Sequence, residues 1–569
     1  MAIEIYEGEL TGSEVDALLS TVSSSNLSAT HKITRSATIV VAASDSSEKS
    51  KAQADYVCDG VADDIEIQAA IDALPSLGGI ITFLEGNYTV TARIVIKDKT
   101  TLILQNAKLS LANATNDDMF STTHGRATSG LLLAERAVED TDITIVGVGI
   151  STLNGNKANQ TARSSLISVT GATNVVIDNL TLTDAYTNGI EFVPVQNGRI
   201  SNIRASDIAC NTIICEAGDA AASDIIIKNI YCDSGQTSGY GASIWLSGVK
   251  NVVVDNIHAI NPKNTGINIK TLDAGVGAAS PSGVDLVNVS NLFVENSVGG
   301  SNAISISSDN DTASVKNVDI QNIKVVSSTG SYGLYINAAN DVDFQSITLR
   351  GNINFQTTGN CIFIDGNYSN RVNSLNILGG KYTTGGAQYA MRFTGTTGVA
   401  GVGSATIRDI EIYNTDVGIW VNNCAGPLII ENPYIHGGSS FCIALADCTG
   451  VHIVNPMLSN TSDRVIGLRN ITNGTNGCII YGGKLSVANT NVIEIQENCS
   501  DNTFVIPGVT RATFADSGAR NTLNGVGLNA GVPSSEGVWN GNGYEGVKIV
   551  NTSAGTVYEY VNGTLTQIG

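Results

Sequence analysis

The stretch Asn-Val-Val-Ile-Asp-Asn-Leu-Thr-Leu at Asn174–Leu182 returns as Asn-Val-Val-Val-Asp-Asn-Ile-His-Ala at Asn251–Ala259 and as Asn-Val-Asp-Ile-Gln-Asn-Ile-Lys-Val at Asn317–Val325. In each copy alternating apolar residues run up to an asparagine, and a second short apolar run follows. Anchored on that asparagine, the repeat falls at Asn179, Asn202, Asn229, Asn256, Asn291 and Asn322. Weaker copies continue at Ser346, Gly379, Asp409, Asn432, Asn455 and Gly483, and the steps run from 23 to 35 residues. A period of this length built only from short strands specifies a solenoid. The minimum step of 23 residues suits one coil of an all-β, right-handed, single-stranded parallel β-helix with three short strands per coil. Residues at i and i+2 then point inward and those between them point out. The asparagine sits at a bend, where it tolerates left-handed geometry and can bond neighbouring backbone. Stacked asparagines predict a hydrogen-bonded ladder, and longer steps predict loops inserted at bends.

Composition agrees with this reading. Of 569 residues only 15% are charged and 5% aromatic, yet 42% are hydrophobic, and Gly, Ser, Thr and Asn abound. That balance favours strands and turns over helix. A formal charge of −21 argues against nucleic acid or an anionic membrane as partner. No apolar run is long enough to predict membrane insertion. Met1–Leu19 is acidic and lacks the basic and apolar regions of a signal peptide. The chain is thus expected either to stay cytosolic until released or to have lost a leader. The ten cysteines are scattered without a Cys-X-X-Cys pair, and read as small buried apolar residues. Their spacing and the lack of partner histidines speak against a metal site, so no metal and no cofactor is expected.

Three regions follow. Residues 1–54 carry no solenoid repeat and read as an N-terminal attachment or linker segment, with a candidate strand at Ala37–Ala43. Residues 55–502 form the β-helix. It opens with a cap helix over 62–74, where Asp63 or Asp64 can cap and Ile67, Ile71 and Leu74 share one face. Such a helix would cover the open end of the solenoid. Residues 503–569 read as a C-terminal β module with strands near Val547–Asn551 and Val557–Val561.

The segment Asp59-Gly-Val-Ala-Asp-Asp-Ile-Glu-Ile-Gln-Ala-Ala-Ile-Asp72, with Gly78-Gly79 and Leu84-Glu-Gly-Asn-Tyr88, resembles the opening motif of the pectin-lyase-like superfamily, especially phage tailspikes and polysaccharide-degrading β-helix enzymes. Thr101–Leu109 and Ile145–Gly155 also resemble the first coils of polygalacturonases. The likeness spans roughly Asp55 to Gly483. It implies the fold far more than the activity. Polygalacturonase site motifs, carried over by the repeat, fall on Tyr186-Thr-Asn188, Asn211-Thr212, Gly239-Tyr-Gly241 and Asn268-Ile-Lys270. There the family's aspartates are Asn or Thr, its histidine is Tyr240 and its arginine is Asn268, and only Lys270 matches. Glycoside hydrolysis generally needs two carboxyl groups across the bond, so that mechanism is not available at these positions.

Independently of any family, equivalent strands predict two outward rows. The first holds Glu191, Ile214, Ser243, Asn268, Ser305, Tyr335, Phe363, Arg392, Trp420 and Ala444. The second holds Glu216, Trp245, Lys270, Ser307, Asn337, Asp365, Thr394 and Asn422. Outward Trp245, Tyr335, Phe363 and Trp420 stand out in a chain poor in aromatics. Sugar rings present apolar C–H faces, so these rings, with Lys270 and Arg392, are the candidate substrate-binding residues. The competing readings are packing against a neighbouring subunit and cover by inserted loops. Glu191 and Glu216 lie one coil and two residues apart, roughly 8 Å, within the inverting-glycosidase range of roughly 6.5–9.5 Å. With Asp365 they are the candidate catalytic residues, and Asp219, Asp309 and Asp311 are the reserves.

The function expected is a tailspike-like receptor-binding protein that recognises a cell-surface polysaccharide, with depolymerase activity open. The alternatives are a secreted polysaccharide lyase or glycoside hydrolase, and a catalytically silent structural or adhesive rod. A virion or extracellular location and a homotrimer accompany the first reading.

Overall fold

The computed structural model is a right-handed parallel β-helix. It describes residues 37–567 except 124–139, 219, 221, 234–240, 263, 273–281, 298–301, 309–312, 328–331, 338–343, 367–371, 387, 396–401, 425, 461–463, 488–491, 508, 510–513, 517–520, 524–525, 529–547, 552–555 and 562–563. Sheet 1 runs from Ile94–Ile96 through Ile213–Glu216, Ala242–Ser247 and Thr265–Lys270 to Phe514–Asp516. Sheets 2 and 3 are the two arms of longer strands such as Ala222–Asp233, Val249–Ile260, Asp285–Ser297 and Asn317–Ser327. Every pairing between successive coils in these strands is parallel.

The bends fall where the repeat predicts them. Asn229, Asn256, Asn291 and Asn322 adopt φ of +57°, +55°, +53° and +55°. Most L-residues lose roughly 1–2 kcal/mol in this conformation, whereas Asn reaches it routinely. The ladder forms as well. Asn229 Nδ2 donates to Asn202 Oδ1 at 2.9 Å and Asn256 Nδ2 to Asn229 Oδ1 at 2.9 Å. Asn291 instead donates to Asp255 Oδ1, at 2.7 Å. One anchor moves. Ser346 pairs with Asn317 at the start of its arm, and the bend of that coil is Gly351, φ +81°. The register slips between Gln321 and Ile323, and a Cβ on Gly351 would lie 2.6 Å from Asn322 Oδ1. Only glycine fits that crowded left-handed corner.

Inside, identical positions stack coil on coil. Ile177, Ile200, Ile227, Val254, Val289, Ile320, Leu349 and Ile377 are mutual register partners in series, and all are fully buried. Burying each such side chain contributes roughly 1.5–3 kcal/mol. One continuous apolar column therefore runs the length of the rod and fixes which residues face out.

The ends differ from expectation in detail. The cap helix spans Asp64–Asp72, shorter than 62–74. Ile67 and Ile71 are buried and Leu74 packs partly against the core. Asp63 is the N-cap residue, but its carboxylate does not cap. It accepts from the backbone N–H of Gly60 and Thr89, both at 2.6 Å, and so pins the helix to the first coil. Thr38–Ala42 pairs in parallel with Gly79–Phe83, so the solenoid starts ahead of residue 55. A short helix that the sequence reading did not anticipate, Glu48–Gln53, follows, with Ser47 Oγ accepting from Ser50 N at 3.1 Å. At the other end Asn521–Leu523 pairs antiparallel with Val526–Leu528, and Lys548–Asn551 antiparallel with Thr556–Val561. Antiparallel pairs thus join the parallel ladder from Asn521 on, although Val526–Leu528 still pairs in parallel with Lys548–Asn551.

None of the ten cysteines is joined in a disulfide. Nine are buried and Cys210 is half-buried. Burial pushes the thiols of Cys361, Cys442 and Cys478 up to about 12, which suppresses thiolate chemistry. A thiol reagent such as DTNB should therefore label one cysteine, Cys210, in the native protein and all ten after unfolding. Asn256→Ala should lose the ladder bond and strain the bend, costing about 1–3 kcal/mol in urea unfolding. Asn256→Gly should cost less than Asn256→Ala because it removes the bond without the strain; equal losses would refute the bend account.

Candidate functional site

The outward side of sheet 1 is set by register. Glu191 pairs with Ile214, Ile214 with Trp245, Trp245 with Asn268 and Asn268 with Ser305. The row continues through Tyr335, Phe363, Arg392, Trp420 and Ala444. This corrects one position of the predicted rows. Trp245 belongs to the first row in place of Ser243, and Ser247 takes its place beside Glu216 and Lys270. A two-residue slip keeps every side chain on its face, so alternation alone could not detect it. The strand begins at Ala242, and Ser243, not Gly241, stands opposite Gly266 in the register.

Along this row the aromatic residues touch in sequence. The Tyr332 and Tyr335 rings stack 5.6 Å apart, and Phe363 lies 5.1 Å from Tyr332 edge-on and 5.6 Å from Tyr335. The Arg392 guanidinium stands 5.1 Å from the ring centroids of both Phe363 and Tyr389. Tyr389 meets Trp420 edge-to-face at 6.0 Å. Trp420 packs with Val417, Phe441 and Ala444, and Arg469 lies 5.4 Å over Phe441. The rings from Tyr332 to Trp420 are half-buried, leaving part of each open to solvent. Three coils before Tyr335 stands Trp245, and Lys270 Nζ from the next coil lies 4.9 Å over its ring. Tyr332, Tyr389, Phe441 and Arg469 were missed by sequence. Tyr389 and Phe441 share the parity of inward Met391 and Ile443, but sit at strand starts where they join a cluster outside the main core.

Among the described residues, the polar atoms on the same face that are buried without a hydrogen bond include Trp245 Nε1, Ser247 Oγ, Asn268 Oδ1, Arg392 Nε and Asn422 Oδ1. Native buried polar atoms nearly always have a partner, so such a concentration on one face marks positions that a ligand or water completes.

The candidate carboxylates differ from one another. Glu191 is 1% exposed and takes hydrogen bonds from Arg163, Ser165 Oγ at 2.9 Å, Ser168 Oγ at 3.0 Å and Asn188. Arg163 also pairs with buried Asp118, 3.7 Å away. Burial first, and then the charge of Glu191, raise the Asp118 carboxyl to about 6. Glu216 is also buried, one coil on, and Asp365 is half-buried beside Phe363 in the row of Asn337 and Thr394. Asp219, Asp309, Asp311 and Tyr240 lie outside the described residues. At the positions matching polygalacturonase motifs, Asn188 Oδ1 accepts from Asn211 N at 3.0 Å, and Asn211 Oδ1 accepts from Ala242 N at 2.8 Å. Those residues form a corner ladder. Cys58, Asp63 and Glu66 bring ligand-type atoms within 4.8 Å of one another, but both Asp63 oxygens are held by backbone N–H groups.

A second set of rings stands on sheet 3. Tyr231 meets His258 edge-on at 5.2 Å, and His258 stacks on Phe293 at 4.6 Å. Arg204 caps one end, 5.3 Å over Tyr231, and Lys324 the other, 4.7 Å over Phe293. Its ring faces are occupied by each other and by the cations, so it stabilises the sheet rather than offering a platform.

No protein-family model and no curated protein matches the chain. Solved structures do. The family 28 exopolygalacturonase of Yersinia enterocolitica matches at 12% identity and TM-score 0.34, over 72% of this chain and 76% of that one. A mutant tailspike protein of E. coli bacteriophage HK620 matches at 12% identity and TM-score 0.40, over 82% and 75%. The surface adhesin PfbA of Streptococcus pneumoniae matches at 13% identity and TM-score 0.38, over 73% and 97%. At such identity the likeness concerns the fold. Among the described residues no helix is long and apolar enough to cross a membrane.

Asp118 yields a pH signature. Its folded pKa lies above the unfolded value of 3.8, so the native state holds the proton longer. That contribution is fully present below about 4 and is lost as pH rises through about 6. Thermal melting from pH 4 to 7 should show this decline in the parent protein, and Asp118→Asn should remove it.

Proposed function

We propose that this chain is a tailspike-like receptor-binding protein that holds a cell-surface polysaccharide along the outer face of sheet 1. The observation that carries the reading is the contact series from Tyr332 to Phe441, continuous across successive coils and accompanied by unsatisfied donors and acceptors. Aromatic faces take up the apolar sides of sugar rings, and the free polar atoms answer to hydroxyls. A row repeating once per coil, roughly 4.8 Å, suits an extended chain better than a single small ligand. Tyr335, Phe363, Arg392 and Trp420 are assigned to binding, with Trp245 and Lys270 extending the face.

Glu191, Glu216 and Asp365 are the residues we assign to turnover if the polysaccharide is cut. The four hydrogen bonds on Glu191 favour a positioning role for it, and Glu216 and Asp365 are the further carboxylates to test. Side-by-side homotrimers on a virion are part of the same proposal. Sparse charge along the solenoid flanks supports them.

The test is a screen of polysaccharides and glycan arrays that scores both binding and release of reducing ends. Trp420→Ala or Tyr335→Ala should weaken binding by about 1–3 kcal/mol with the melting temperature retained. Glu216→Gln or Asp365→Asn should stop any release while binding persists, because a proton-transferring carboxylate acts in the transition state. Aromatic variants that bind normally but dissociate into monomers would reassign the strip to subunit packing.

A further inference from the structure

The outward column of sheet 2 changes character along the rod. It is apolar at Ile226 and Val253, polar at Asn288, Asp319, Thr348, Asn376 and Thr406, and apolar again at Ile429. Where it turns polar, a cleft of about 390 Å³ opens, lined by Leu286, Asn288, Asn317, Asp319, Thr348 and Arg350 among others. That volume falls in the lower part of the range of small-ligand sites and suits one or two sugar rings.

The corner above this cleft departs from the pattern of its neighbours. Asn174, Asn197, Asp224 and Asn251 occupy the same corner in preceding coils, each with positive φ. They bond one another: Asn197 Nδ2 to Asn174 Oδ1 at 2.7 Å and Asn251 Nδ2 to Asp224 Oδ1 at 2.6 Å. The next coil places Leu286 there, φ +54° and 46% exposed. Leucine bears the left-handed steric penalty without the amide that earns Asn its place, and it interrupts the corner ladder. Strain kept at an exposed position beside a cleft points to use.

We propose that this cleft is a second carbohydrate subsite, on a different face from the sheet 1 strip, and that it takes a neutral pyranose. Leu286 offers the apolar seat for the C–H face of the ring. The Asn288 side-chain amide lines the cleft and is the partner for the hydroxyls. Thr348 Oγ1 accepts from Asn376 Nδ2 at 3.4 Å, which leaves its own proton to donate. Asp319 is held by Arg350, whose Nε lies 3.0 Å from each carboxylate oxygen. That ion pair neutralises the lining, so the cleft offers an uncharged sugar polar partners and gives a uronate no net attraction. The subsite stands without the sheet 1 reading, and either can fail alone.

Saturation-transfer NMR on the full chain tests it, with the methyl glycosides of glucose, galactose, mannose and N-acetylglucosamine as probes. At least one should bind, and Leu286→Asn or Asn288→Ala should weaken that binding by about fivefold or more. Leu286→Asn should also raise the melting temperature, because it restores the corner residue used in the preceding coils. The proposal is overturned if no probe binds, if binding survives both substitutions, or if Leu286→Asn lowers the melting temperature. A signal lost in Tyr335→Ala but kept in Leu286→Asn and Asn288→Ala would place the sugar on sheet 1 and likewise overturn it.

Discussion

Each coil of this rod must turn its corners without leaving vertical register. Parallel strands bond only to the coil above and the coil below, so a corner with one residue too many must absorb it in the bend or shift the side chains that follow. The left-handed asparagine solves this locally. It makes a sharp bend in one residue, and its amide reaches the equivalent residue of the neighbouring coil. Once the corners are fixed, the apolar column is fixed, and so is the identity of every outward residue. The contact series on sheet 1 is a consequence of corner geometry repeated over many coils.

Much of this was legible in the sequence because the corner residue, the alternation and the step length carry the same message. The bends at Asn229, Asn256 and Asn322 needed nothing more. Ser346 misled because that coil bends on Gly351, five residues later, where the register slips. Trp245 was placed on the correct face but in the wrong row, since a two-residue shift is silent in an alternating pattern. The outward aromatics at Tyr335, Phe363 and Trp420 were readable. Tyr389 and Phe441 were not, because strand-start residues escape the parity of the strand they begin. The burial of Glu191 by Arg163 and Asn188 was also hidden, as it depends on side chains converging from separate coils.

The electrostatics follow from placement rather than from total charge. The chain carries a formal charge of −21, yet its outward rings are associated with cations: Lys270 with Trp245, Arg392 with Phe363 and Tyr389, Arg469 with Phe441. Each contact is worth roughly 0.5–1 kcal/mol at an exposed site, rising when desolvated. On sheet 1 the cations therefore stand at the rings, although the same face also carries Glu191, Glu216 and Asp365. On sheet 3 the same chemistry closes on itself, with Arg204 and Lys324 sealing the stack.

The slipped register at Gly351 has a mechanical meaning. Hydrogen bonds between coils run along the rod axis, so a pull applied at the two ends loads successive coil interfaces in series. A series of links fails at its weakest member. The interface between Asn317–Ser327 and Phe344–Gln356 lacks one aligned pair and replaces the corner asparagine with glycine. The register also slips between Glu295 and Ser297 and between His436 and Gly438, so under tension these slipped interfaces are where the rod would part first.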